Sequence, residues 1–317
     1  MSAPGGLENS DPLAGRDRAR PERPDHPNST RRGHVLITGA STGIGRACAL
    51  YLAKRGFSVI AGTRRECDGL SLVGDSSGAL RSVLIDVTSA DSIATCVESV
   101  REITGPSGLL GLVNNAGVGV IGPVEFVRID EWRRQFEVNL FGQVAVTQMM
   151  LPLLRAHVLN TRESARIIMI GSGAGFFSLP ILGPYSASKH ALEAVCDALR
   201  VELKGQKIQT SLLEPGAIQS EIWRKNYEIG REFRDGSAAR ERYGRMIDNA
   251  LVGARFMHSR AIPAERVARI VESCLVRPNA PSRVVVGLDA KMLSLARGFL
   301  PDRWLDALMA KVLTYSW

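Results

Sequence analysis

Seven short apolar runs recur along this chain, and the stretches between them carry helical rather than strand periodicity. The runs are HVLIT (34–38), SVIAGT (58–63), RSVLID (81–86), LLGLV (109–113), ARIIMI (165–170), KIQTSLL (207–213) and RVVVG (283–287). None alternates apolar with polar residues, so each reads as a strand buried on both faces, the mark of a parallel sheet. Helical patterns separate them: IGRACALYLAKRG closed by Gly56, a stretch over 89–103, a long one over 129–157 with Pro152 near its end, and one from Tyr185 to about Lys204. Right-handed crossovers then predict a single doubly wound (Rossmann-type) α/β domain, with a seven-stranded parallel sheet and helices on both faces. Ligands of such domains bind beyond the carboxyl ends of the strands, so the residues just after each run are the informative ones.

Composition narrows the function classes. The 317 residues are 45% hydrophobic and 23% charged, which suits one large core. Net charge is +8, but Lys and Arg are scattered among acids with no basic run, so nucleic acid is not an expected partner. The charge reads as a solvated surface that attracts phosphates. Five widely spaced cysteines without a CxxC, and no HxxxH pair, predict free thiols in a reducing cytoplasm and no metal site. No apolar stretch approaches the roughly 18 residues of a spanning helix. Residues 1–32 are rich in Pro, Gly, Arg and Asp, lack an apolar signal core, and are expected to be a disordered extension. The domain should cover 33–288, with an amphipathic helical extension over 289–317.

After the first run comes TGASTGIG (38–45). Gly39 permits a tight turn, Gly43 lets backbone approach a pyrophosphate, and Gly45 lets the next helix pack close to the strand. The helix N-terminus, with Ser41 and Ile44 beside it, offers free N–H groups to phosphates. After the second run stand Thr63, Arg64 and Arg65, where an NAD-preferring fold carries an acid. A guanidinium at Arg64 suits a 2′-phosphate and favours NADP, with NAD as the alternative. Asp86 and Val87 follow the third run, at the level of an adenine ring. NNAG (114–117) follows the fourth, with Asn115 before the small Ala116 and Gly117. In LGPYSASKHALEA (182–194), Tyr185 and Lys189 lie one helical turn apart. That pair is either a phenol readied for proton transfer or a packed tyrosine beside a surface lysine.

TGASTGIG, NNAG, the serine of GSGAG, YSASK and EPG resemble the short-chain dehydrogenase/reductase superfamily over residues 34–287. The resemblance implies that Tyr185 is the acid/base and that Lys189 holds the nicotinamide ribose and lowers the tyrosine pKa. It implies that Ser172 bonds the substrate oxygen and that Asn139, in FEVNLFG, holds a water behind the lysine. Pro215 and Gly216 would shape the loop over the nicotinamide, the Ile218 backbone would bond the carboxamide, and Ser220 would reach the pyrophosphate. LGPYSASKHALEAVCDALRVEL looks most like the retinol and 17β-hydroxysteroid dehydrogenase branch. That implies a lipophilic alcohol or ketone substrate and a homodimer or homotetramer.

The segment 219–280 is expected to supply a substrate lid, with Trp223, Tyr227, Phe233, Tyr243, Phe256 and Met257 as pocket residues or as one side of a packed helix pair. The C-terminal stretch reads as two short apolar-striped helices broken at Pro301, and Leu300, Trp304, Leu305, Leu308, Val312 and Leu313 suggest one apolar face. It would pack on the domain or a second subunit, or lie in a membrane interface. Alternatives to an NADP-dependent enzyme are NAD-dependent alcohol oxidation by the same residues, a non-catalytic NADP-binding regulator, and a membrane-associated scaffold.

Overall fold

The computed structural model describes residues 32–219, 233 and 237–314. Its strands are β1 (His34–Ile37), β2 (Ser58–Thr63), β3 (Leu80–Leu84), β4 (Gly111–Asn114), β5 (Ala165–Ile170), β6 (Ile208–Pro215) and β7 (Arg283–Val286). They form one parallel sheet in the order β3-β2-β1-β4-β5-β6-β7. The chain winds outward from β1 in both directions. The switch between β1 and β4 opens a crevice at the carboxyl ends of these strands.

Successive strand residues face opposite layers, which explains the unbroken apolar runs. Val35 and Ile37 of β1 join a core with α1 (Gly43–Lys54), α2 (Glu66–Gly74) and α8 (Ala264–Val276). Leu36, between them, joins a second core with α3 (Ala90–Thr104), α5 (Gly142–Thr161) and α6 (Gly183–Glu202). Ser89 caps α3 by accepting from the Ser92 amide at 3.2 Å. The remaining helices are α4 (Ile129–Phe136), α7 (Ala238–Ser259), α9 (Leu288–Phe299) and α10 (Asp302–Thr314).

Three features differ from the sequence expectation. α2 carries only Gly69 and Leu72 inward, too few apolar positions to print a helical period. The stretch over 129–157 is not one helix: a π-turn at Glu137–Phe141 separates α4 from α5. The segment 219–280 divides in two. α7 is the helix that meets the loops above the sheet, whereas α8 is the β6–β7 crossover and buries Val267, Val271 and Cys274 against α1.

Candidate active site

The turn after β1 is built on two left-handed glycines, Gly39 (φ 63°) and Gly43 (φ 55°). A Cβ on Gly39 would lie 2.8 Å from the Ala116 Cα, and one on Gly45 would lie 2.3 Å from the Gly39 carbonyl oxygen. Gly45 therefore draws α1 against the turn from beneath. Thr42 makes no side-chain cap and no acid stands in the first turn of α1, so its N–H groups and dipole are left for an anion. The Thr38 hydroxyl accepts from the amides of Asn115 (3.0 Å) and Ala116 (3.1 Å). Asn115 Nδ2 donates back to the carbonyls of Thr38 and Gly39. These bonds lock the first and fourth strand ends together.

A cleft of about 460 Å³ runs across these strand ends. Gly39, Ser41, Gly43, Ile44, Asn115, Ala116 and Gly117 line its middle. Arg64, Asp86 and Val87 line the side of β2 and β3. Ser172, Tyr185, Lys189, Pro215, Gly216 and Ile218 line the side of β5 and β6. Gly45 lies under the cleft rather than in its wall, Asn139 lies behind it, and Ser220, Trp223 and Tyr227 fall outside the described residues.

The two arginines after β2 part ways. Arg65 forks onto Asp68 at 2.9 and 2.7 Å. Arg64 is exposed and faces the cleft. Asp86 accepts from the Thr88 amide (2.9 Å) and hydroxyl (2.7 Å); these bonds, helped by Arg64, hold its carboxyl below the ordinary value.

On the other side, Ser172 stands by the Tyr185 phenol, whose pKa it pulls down, and accepts from the Ala174 amide at 3.1 Å. Lys189 is 4% exposed and donates to the Ile170 carbonyl at 2.8 Å. Its ammonium nitrogen stands 5.9 Å from the centre of the Tyr185 ring. Burial lowers Lys189 to about 8. Burial also raises Tyr185, with only Ser172 opposing it. The phenol thus stands above its ordinary value here, because burial disfavours the charged form.

Asn139 has a use that sequence reasoning missed. Fully buried, it accepts from the Val118 amide (2.8 Å) and donates to the Val118 carbonyl (3.0 Å) and the Ser188 hydroxyl (3.2 Å). Gln135 and Gln143, also fully buried, grip the same loop. Gln135 bonds the Val118 carbonyl and the Val120 amide, and Gln143 bonds the Ala116 carbonyl. Three carboxamides four residues apart were a visible signal, since that spacing puts them on one helical face.

Asp289 was also missed. From the first turn of α9 it accepts from the Ala217 amide at 2.6 Å, and a Cβ on Gly216 would strike it at 2.2 Å. Ile262 holds the same loop from the other side, with bonds of 3.1 Å to Ala217 and Gln219. Below it, Arg283 bonds the fully buried Glu214 and donates to Glu193 at 2.6 Å and Asp197 at 3.3 Å. A Cβ on Gly175, in the turn after Ser172, would lie 2.3 Å from the Glu193 carboxylate.

Above the Tyr185 side sits a small apolar cluster. Ile181, Ile247 and Leu251 form it, with Ile121, Phe233, Tyr243 and Met246 packed around them. Phe256 is exposed instead, with the Arg260 guanidinium 4.2 Å from its ring centre.

Fold and cleft together define an NAD(P)-dependent oxidoreductase. The chain belongs to the short chain dehydrogenase family, whose model matches residues 33–229. It is 36% identical to the NADPH-dependent 3-dehydrocapnine reductase of Ornithobacterium rhinotracheale, over 88% of this chain and 96% of that one. It is 33% identical to 17-beta-hydroxysteroid dehydrogenase type 6 of Bos taurus, over 89% of this chain and 88% of that one. It is also 33% identical to retinol dehydrogenase 5 of Mus musculus, over 88% of each. A short-chain dehydrogenase structure from Streptomyces avermitilis superposes with a TM-score of 0.69, at 26% identity, covering 90% and 96% of the two chains.

Proposed function

We propose that this chain transfers a hydride between NADP(H) and the alcohol or carbonyl carbon of a lipophilic, retinoid- or steroid-like substrate, with Tyr185 as acid/base. The observation that carries this is the convergence of Ser172, Tyr185 and the buried Lys189 on the β5 side of a cleft whose β2 side presents Arg64.

The residues fit the cofactor. The uncapped start of α1, beyond Gly39 and Gly43, suits the pyrophosphate. Arg64, with no hydrogen bond to another described side chain, suits a 2′-phosphate and favours NADP. A relative named for NADPH dependence supports the same choice. The bound nicotinamide supplies the hydride chemistry.

In the reductive direction Tyr185 gives its phenolic proton to the carbonyl oxygen as that oxygen gains negative charge, and Ser172 donates a hydrogen bond to the same oxygen. Lys189 lies beneath and favours the phenolate left behind. Both donors of the Asn139 side-chain amide are taken, by the Val118 carbonyl and the Ser188 hydroxyl, so toward a water behind Lys189 this side chain could only accept. The apolar cluster of Ile181, Ile247, Leu251 and Phe233 supports a lipophilic substrate, as do the relatives named for steroid and retinol. Exposed Phe141, Met149 and Val201 support association of α5 and α6 between subunits, as a dimer or tetramer.

The test is Tyr185→Phe. Turnover of steroid and retinoid ketones or aldehydes with NADPH should fall by at least about a hundredfold, while NADPH affinity, read from nicotinamide fluorescence, stays within about twofold. Wild-type turnover in the variant would overturn the assignment.

A further inference from the structure

The C-terminal helix α9 carries its large apolar residues on the outside. Leu288, Met292, Leu295 and Phe299 follow the spacing of a single helical face, and they are 75%, 61%, 57% and 83% exposed. The residues it turns inward are Ala290, 1% exposed, beside Gly173 in the turn after Ser172, and the half-buried Leu293. A helix serving only as a cover would not leave four of its five large apolar residues outside. The exposed face continues past Pro301 with Leu300 and Trp304, while Leu305 is buried and anchors α10, which packs on α7.

Charge distinguishes the occupants such a face would accept. Of the acids nearby, Asp289 is spent on the Ala217 amide and Asp302 is paired with Arg297. Asp306 is exposed, against the exposed cations Lys291, Arg303 and Lys311. A second copy related by a two-fold axis would offer the same basic rim, and so few acids to pair with these cations. An anionic lipid surface meets both the apolar face and its basic rim. At 12 and 13 residues, α9 and α10 are too short to cross a bilayer. No helix among the described residues is long and apolar enough to do so.

We propose that the Leu288–Met292–Leu295–Phe299 face of α9, continued by Leu300 and Trp304, lies in the interface of an anionic membrane. The first turn of α9 holds Asp289 and Ala290, which touch the loop after β6 and the Ser172 turn. Docking there brings the candidate active site next to the lipid that dissolves a lipophilic substrate. Only this consequence rests on the proposed function; the docking itself does not.

Flotation of the full chain with phosphatidylcholine vesicles, with and without phosphatidylserine, tests the proposal directly. The wild-type chain should float with the anionic vesicles and lose that binding as salt is raised. Met292→Asp/Phe299→Asp should reduce flotation at least about tenfold, and Lys291→Glu/Arg303→Glu should remove the preference for phosphatidylserine. Circular dichroism and NADPH affinity should match wild type for both, which separates lost docking from lost folding or a failed cofactor site. Absence of wild-type flotation, or equal flotation of the Asp variant, would overturn the proposal. So would conversion of a dimer to a monomer by the Asp variant with flotation unchanged, which would assign the face to a second copy.

Discussion

Replacing Glu214 by glutamine isolates the electrostatic cost of one buried group. Burial and the neighbouring Glu193 raise the Glu214 carboxyl from its ordinary 4.5 to about 7, against the opposing pull of Arg283. The folded chain therefore keeps a proton that the unfolded chain gives up between those values. For an acid raised on folding, the stabilising contribution is fully present below pH 4.5 and is lost as the pH climbs through about 7. At roughly 1.4 kcal/mol per pH unit, that interval amounts to about 3 kcal/mol. Glutamine keeps the shape and an acceptor for Arg283 but does not titrate. Asp197 on α6 and Arg283 on β7 face both proteins alike, whereas Glu193 on α6, which shares the proton with Glu214, is relieved of that partner in the variant. The variant-minus-wild-type stability should thus rise by about 3 kcal/mol between about pH 4.5 and about pH 8, whatever its value at the acid end. Urea unfolding followed by circular dichroism across that range measures it. A difference that stays flat with pH would falsify the assignment of this proton to the Glu193–Glu214 pair.

Two further outcomes are expected. Arg64→Ala should weaken NADPH binding by about ten- to a hundredfold and NADH binding by under about threefold; equal losses in a fluorescence titration would remove Arg64 from the 2′-phosphate. Lys189→Met should abolish turnover yet raise the melting temperature at neutral pH. Burial draws the ammonium from 10.5 to about 8, so stability present above the unfolded value is already lost once the pH has fallen through 8, a cost of order 1–3 kcal/mol that methionine avoids. A lower melting temperature would show that the Lys189–Ile170 bond outweighs desolvation.

The sheet was legible because a strand buried on both faces writes its burial into consecutive residues: SVIAGT and ARIIMI coincide with β2 and β5 end to end. The residues lining the cleft were legible because strand ends are where such sheets leave backbone open. What stayed hidden depends on contacts distant in sequence. Nothing in VGLDAKM announces that Asp289 reaches back 72 residues to Ala217. The long run over 129–157 keeps its helical period through the π-turn, because one extra residue in a turn changes hydrogen bonding more than polarity. The Tyr185 shift was misjudged because sequence shows that a lysine is near but not that both groups are buried. The apolar stripe of α9 was legible but its direction was not, because a helix carrying Leu, Met and Phe looks the same in sequence whether that face points in or out.

The bond from Asp289 to Ala217 also bears on how the gene can be trimmed. A protein cut after Gly287 keeps every strand, yet it gives up the only carboxylate among the described residues that holds the turn carrying Gly216 and Ile218. The C-terminal helices therefore act as a keystone of the cleft, and an affinity tag or truncation placed there changes the enzyme, not just its edge.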